Sequence, residues 1–382
     1  MRLNPVLSQL RPYPFLVLDR ARRAAIERGV RLIDFSVGDP MEATDPAIRQ
    51  ALIDSITERS SYPKATGLDE HKQAIAAWIR RRYGVAVDWE TEVMPTFGSK
   101  EAVYSFAFIV MDPHSSKNIV AVTEPGYPIP DRGAEMAGGR VIRLPLLEAN
   151  GFLPDLNQVP DSTWDEVALL WINYPNNPTG AAAPLSFYTE LAEKARRHDF
   201  IIASDEAYSE IYFGEPTASA LQIKDRSHVA VFNTQSKRSS MTGYRSGFIV
   251  APAEIIRGLN LYRPLAGVAV PEFIQHATVE ALSREDHVER MRAIYAAKRE
   301  LFLEFLSTKK VRVAGSAATF YLWCQVPDGE TSQSFADRLL ERGVVVAPGS
   351  YFGDSGDGYV RIALVPTLEE CRQAIELLDQ VL

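Results

Sequence analysis

"FNTQSKRSSMTGYRSGF", residues 232–248, places Lys237 and Arg245 eight residues apart in a turn rich in serine and glycine. The segment leaves a short apolar run, "VAVF" (229–232), whose composition fits a buried strand. Two cations at the end of a core strand have a bland explanation, a solvated loop. They also have a sharp one: a lysine held for covalent chemistry and an arginine held for a phosphate. The rest of the chain distinguishes them.

Outward from this turn, similar β-branched runs alternate with helical patterns. "NIVAVTEP" (118–125), "EVALLWINYP" (166–175), "FIIASDE" (200–206), "HVAVFNT" (228–234) and "GFIVA" (247–251) read as strands buried on both faces. Between them "GSKEAVYSFAFIVM" (98–111) and "PLSFYTELAEKARRH" (184–198) carry helical periodicity. The alternation predicts an α/β fold with a mostly parallel central sheet flanked by helices. After residue 280 the texture changes. A long charged helix over 286–307 is followed by strand-like pieces at 319–326, 344–348 and 358–365, a smaller α+β domain. The expected division is an N-terminal arm joining the small domain (1–45), a large domain (46–280) and a small C-terminal domain (281–382).

Bulk composition sets limits. The chain has 382 residues, a formal net charge of −8, and 24% charged residues. An acidic balance gives no footprint for nucleic acid or an anionic membrane. Two distant cysteines, Cys324 and Cys371, suggest neither a disulfide framework nor a metal site. No apolar run is long enough to span a bilayer, and prolines 5, 12 and 14 interrupt the N-terminus, so a cytoplasmic protein is expected. The proline-rich "RPYPF" (11–15) also argues against a helical cover there.

In open α/β sheets, ligands bind beyond the carboxyl ends of the strands. Here three successive strands run into polar clusters: "NYPNNPTG" with Asn177, "SDEAY" with Asp205 and Tyr208, and "NTQSK" with Lys237. Singly, each has an ordinary explanation as a turn, a helix cap, core packing or solvated charge. Together with Arg245 they put five polar side chains at one rim. "TFGSKEA" (96–102) adds Ser99 and Lys100 at a helix N-terminus, where backbone N–H groups favour an anion, with Arg245 as a fork-shaped partner. Arg361, in the apolar "GYVRIALV" (358–365), needs a partner if buried.

This ordered set resembles the pyridoxal-phosphate-dependent class I/II aminotransferases of fold type I, over nearly the whole chain from "SVGDP" (36–40) onward. The resemblance implies pyridoxal 5′-phosphate as cofactor, with Lys237 binding it covalently and then shuttling a proton. It implies Asp205 at the pyridinium nitrogen, Asn177 and Tyr208 at the phenolic oxygen, and Tyr127 stacked on the ring. Ser99, the Lys100 backbone, Thr234 and Arg245 would hold the phosphate. Gly38, Asn177 and Arg361 would hold the substrate α-carboxylate. Tyr62 would reach a partner subunit's phosphate, which implies a homodimer with shared active sites. "LNPVLSQLRPYPF" (3–15), "SDEAYSEIYF" (204–213) and "SKRSSMTGYRSGF" (236–248) are similar to the succinyldiaminopimelate aminotransferases of lysine biosynthesis.

The chain departs from the family pattern at His71, Pro130 and Thr234, of which the first two could alter the pocket wall. Lys64, Lys100, Arg238 and Arg263 are the cations near motifs that could meet a distal carboxylate. An aminotransferase for aspartate, alanine or aromatic amino acids is the alternative reading. A β-lyase, decarboxylase or synthase on the same cofactor is another, because the fold does not choose the reaction. A ligand-sensing module of a transcription regulator has little sequence before residue 36 for a DNA-binding domain.

Overall fold

Alternate residues of the middle strands point to opposite sides of one sheet, and each side has its own core. Val229, Val231, Phe248 and Val250 join the core on one face, while Ala230, Phe232 and Ile249 join the core on the other. This period of two on a doubly covered sheet is why the strands read as continuous apolar runs. In the computed structural model, which describes residues 3–9, 14–59, 61–309 and 311–382, thirteen strands form three sheets among the described residues.

In chain order the strands are β1 (Ile33–Asp34), β2 (Val93–Phe97), β3 (Ile119–Glu124), β4 (Arg140–Pro145), β5 (Val167–Asn173), β6 (Ile201–Asp205), β7 (Val229–Thr234), β8 (Ser246–Val250), β9 (Val313–Gly315), β10 (Tyr321–Gln325), β11 (Val344–Val345), β12 (Ala347–Pro348) and β13 (Tyr359–Ala363). The large sheet runs β2-β8-β7-β6-β5-β3-β4. Every pairing from β7 to β4 is parallel, and β8 alone runs against its neighbours. Fold type I, with a mostly parallel central sheet and flanking helices, is therefore the architecture.

From β3 the chain steps outward to β4, then returns inside to β5 and continues the other way through β6 and β7. The order reverses between β3 and β5, and the crevice at such a reversal is where α/β sheets bind ligands. Registers Asn173↔Asp205 and Asp205↔Phe232 bring the carboxyl ends of β5, β6 and β7 level there.

A four-stranded antiparallel sheet, β12-β13-β10-β9, and the parallel pair β1–β11 complete the strands. They share a core with the helices Asp286–Ser307, Ser332–Leu340 and Leu368–Asp379, including Phe302, Leu339 and Leu378.

Three local expectations change. The predicted helix 98–111 is broken at Phe106 into Gly98–Ser105 and Ala107–Val110. Strands β2 and β4, one containing Pro95 and the other two arginines, lack the apolar pattern of the central strands and lie at the sheet's edges. The N-terminus is helical over Pro14–Glu27, against the reading of "RPYPF". Arg11, Pro12 and Tyr13 lie outside the described residues, but Pro14 opens the helix, where a missing N–H costs no hydrogen bond. Among the described residues no helix is long and apolar enough to cross a membrane.

One ion pair ties the long helix to the segment that carries Gly38. The fully buried Lys298 Nζ donates to Glu42 Oε1 at 2.6 Å. Lys298→Ala strands the carboxylate and should lower stability by roughly 2–4 kcal/mol, because removing one partner of a buried pair costs more than the pair contributes. Replacing both, with Lys298→Met and Glu42→Gln, should recover most of that loss in urea unfolding of the apoprotein.

Candidate active site

The carboxyl ends of the sheet and the face of the small sheet enclose a cavity of about 550 Å3. Ser99, Lys100, Tyr127, Asn177, Asp205, Tyr208, Thr234, Lys237, Arg245, Arg361 and Gly38 all line it. The expected residues are thus brought together, with one exception. Tyr62 is fully exposed, 102% relative to an open reference, and lies away from the cavity.

Each wall is positioned by its strand. Lys237 sits in the single turn Gln235–Arg238 after β7, which Thr234 caps by accepting from the Ser236 N–H. Arg245 follows at φ +54°, a left-handed turn that brings it back toward the start of the helix Gly98–Ser105. Gly98 is required there: it has φ +71°, and a Cβ would lie 2.4 Å from the Arg245 guanidinium. Gly38 has the same role opposite, since a Cβ would collide with the Tyr321 hydroxyl.

Of the four cations lining this space, Lys100, Lys237, Arg245 and Arg361, the last three each donate to a neutral oxygen. Lys237 Nζ donates to the Gly38 carbonyl, and Arg245 Nη1 donates to the Thr242 carbonyl at 2.8 Å. Arg361, only 3% exposed, donates to the Asn177 Oδ1 at 2.7 Å and to the Ser36 carbonyl. Its guanidinium lies 4.2 Å over the Tyr321 ring and 4.6 Å over the Phe352 ring. Among the described residues none of the three has a carboxylate within ion-pair distance, and Arg361 Nε is buried without a partner. Elsewhere three of the buried cations are matched by carboxylates, Arg238 by Glu285 at 2.8 Å, Arg263 by Glu101 at 2.5 Å and Lys298 by Glu42, while Lys72, outside the cavity, rests on the Glu90 carbonyl and the Trp89 ring. Cations left on neutral dipoles in a cavity are built for anions from outside.

That contrast corrects the list of cations that might meet a distal carboxylate. Arg238 and Arg263 are structural, and Lys64 is exposed. Lys100 alone of the four lines the cavity. His71 is not in the wall either; it is fully buried, 3.2 Å from Gln275. Pro130 opens the helix Pro130–Met136 beside a neighbouring cavity.

Burial governs the electrostatics. It lowers the Lys237 amine to about 8, with Asp39 opposing and the Arg361 and Arg245 charges pushing further down. It raises Asp205 to about 6, against a hydrogen bond from the Ala207 N–H and the Lys237 charge. The Tyr208 phenol is pushed well above its ordinary value by burial, then by Tyr321, whose hydroxyl is 2.6 Å away.

Two residues of this site escaped the sequence reading. Asn173, the last residue of β5, donates from Nδ2 to the Asp205 carbonyl at 2.8 Å and accepts the Asn177 N–H at 2.8 Å. It fixes two functional turns to each other. A buried amide ending an apolar strand was the available signal, because such a group must be bonded. Tyr321 had none, for an aromatic in "TFYLWCQV" reads as core.

A lysine amine is nucleophilic and basic only when neutral, so these values have a kinetic consequence. In the apoprotein, modification of Lys237 by an amine-specific reagent should rise with pH about a midpoint near 8, well below its ordinary 10.5. Peptide mass mapping across pH 6–11 reads this; a midpoint for Lys237 at 10 or above would contradict the burial argument.

The class I and II aminotransferase family model matches residues 30–378. LL-diaminopimelate aminotransferase of Halothermothrix orenii is 38% identical over 378 residues, covering 97% of this chain and 96% of that protein. The substrate-bound structure of BacF from Bacillus subtilis superposes with a TM-score of 0.94 at 32% identity, covering 100% of this chain and 98% of that one. A probable N-succinyldiaminopimelate aminotransferase from Thermus thermophilus gives 0.89 at 31% identity, covering 96% and 100%. With its fold, its cation-lined cavity and these relatives, the chain belongs to the class I and II aminotransferases, pyridoxal-phosphate-dependent enzymes that move an amino group between amino and keto acids.

Proposed function

We propose that the enzyme exchanges an amino group between glutamate/2-oxoglutarate and a diaminopimelate-type partner in lysine biosynthesis. The names of its relatives support this reading, with the free and the N-succinylated diamino acid both represented among them. The observation that carries the catalytic part is the placement of Lys237 between two arginines without carboxylate partners, Arg245 and Arg361, in one cavity.

Arg245, with the Ser99 and Lys100 N–H groups and the Thr234 hydroxyl, would hold the cofactor phosphate at the start of the helix Gly98–Ser105. Asp205 would face the ring nitrogen as a carboxylate, Asn177 and Tyr208 the phenolic oxygen, and Tyr127 the ring itself. When bound, pyridoxal phosphate supplies the sink for the electron pair released as the Cα–H bond breaks. Lys237 would hold the cofactor and, as a free neutral amine, would take the proton from the substrate Cα. Arg361 would fork the substrate α-carboxylate, exchanging the Ser36 carbonyl for a charged partner, with Gly38 and the Asn177 amide beside it.

We further propose the division at residues 45 and 280 into arm, large and small domains. A homodimer would place the exposed Tyr62 at a partner's phosphate, and the exposed Ile53, Ile56, Leu261 and Leu265 fit a buried interface. Two buried free cysteines favour a reducing, cytoplasmic setting.

Borohydride reduction of the cofactor-loaded enzyme should fix the cofactor to Lys237, identified by peptide mass. Lys237→Ala should lose that adduct and about 10²–10⁴-fold or more in turnover. Arg245→Ala should weaken cofactor retention by about 2–5 kcal/mol. Arg361→Ala should act mainly on substrate, costing about 1.5–3 kcal/mol in kcat/KM. Full activity in Lys237→Ala would end the assignment.

A further inference from the structure

Tyr321 stands where the small sheet meets the large one, on β10, and lines the cavity together with Tyr208 and Arg361. Across the antiparallel pair β10–β13 it faces Ala363, and Arg361 faces Trp323. Tyr321 and Arg361 are therefore diagonal neighbours on one face of the sheet, within reach of long side chains. The Arg361 guanidinium accordingly lies 4.2 Å over the Tyr321 ring. At the far end of that ring, the Tyr321 hydroxyl is 2.6 Å from the Tyr208 hydroxyl. Among the described residues this is the one hydrogen bond that either hydroxyl makes. The residue is 2% exposed, and its hydroxyl abuts Gly38 where no Cβ would fit.

Two phenols joined at 2.6 Å have two arrangements, and these differ at the cavity. If Tyr208 donates, its only proton is spent on Tyr321, and it faces the cavity as an acceptor alone. If Tyr321 donates, the Tyr208 O–H is left to point into the cavity. The surroundings favour the second. A cation over the Tyr321 ring stabilises negative charge on its oxygen, which makes it the stronger acid and the stronger donor of the pair. Burial raises both phenols; the Arg361 charge is the main force opposing it at Tyr321, whereas at Tyr208 the neighbouring Tyr321 adds to it. A hydrogen bond accepted by Tyr208 also polarises the one it gives, so a donating Tyr321 strengthens the Tyr208 O–H.

We propose that Tyr321 is a positioning residue with two separable tasks: its hydroxyl donates to Tyr208 and turns the Tyr208 O–H into the cavity, and its ring holds the Arg361 guanidinium in place. The inference rests on the aminotransferase reading and deepens it. With Tyr208 at the phenolic oxygen of the cofactor, the first task makes that oxygen less basic. With Arg361 at the substrate α-carboxylate, the second fixes the plane of the fork. The hydroxyl serves the cofactor, and the ring serves the substrate.

The test separates the hydroxyl from the ring in the cofactor-loaded enzyme. The absorbance of the bound cofactor is titrated with pH, following loss of the proton held beside its phenolic oxygen, and kcat and KM are measured for glutamate. In Tyr321→Phe the oxygen becomes more basic, so the midpoint should move to higher pH, while KM should stay within about 2-fold because the aromatic face remains. Tyr321→Leu should show the same midpoint shift and, with the ring gone, raise KM at least about 3-fold. Tyr208→Phe should move the midpoint further in the same direction, and adding Tyr321→Phe to it should move it no more. A midpoint that Tyr321→Phe leaves in place, or moves equally with and without the Tyr208 hydroxyl, overturns the first task. Equal KM in the Phe and Leu variants overturns the second. Those outcomes leave the aminotransferase reading standing. If Tyr208→Phe itself moves nothing, Tyr208 is not at the phenolic oxygen, and that part of the reading falls together with the first task.

Discussion

Lys237, Arg245 and Arg361 each rest on a backbone carbonyl, and the design of the site depends on that choice. A buried cation needs a partner, and a carboxylate would supply one at the cost of competing with every incoming anion. A carbonyl satisfies the donor without neutralising the charge. The cavity therefore keeps its positive potential, and any incoming anion would displace a weak acceptor instead of a strong one. The same molecule shows the alternative. Arg238, Arg263 and Lys298 are fully buried and locked to Glu285, Glu101 and Glu42. Their work is structural, and the partner's charge is what separates the two classes.

The carbonyls are not free to drift, because the segment 36–45 that supplies two of them is clamped at its far end. Glu42 binds Lys298, and Asp45 binds Arg290, both from the helix Asp286–Ser307. Gly38 lets that segment approach Tyr321, whose hydroxyl reaches Tyr208 and whose ring supports Arg361. The Arg361 side of the cavity is thus set by the packing of the small sheet and the long helix, and the Asp205 and Lys237 side by the large sheet. Asn173 joins the turns on that side, bonding β6 to the Asn177 turn.

Most of the large sheet was legible because β5, β6 and β7 are covered on both faces and must be apolar throughout. Lys237, Asp205, Tyr208 and Asn177 were legible for the complementary reason: polar residues directly after such strands interrupt a strong pattern. What the sequence did not reveal depends on three-dimensional convergence. Nothing in "TFYLWCQV" separates Tyr321 from the core aromatics around it. Arg238 and Arg361 are both arginines near motifs; only the presence of Glu285 beside one and of neutral acceptors beside the other tells them apart. Pro14 read as a helix breaker because its effect depends on position, and at the first turn it is harmless.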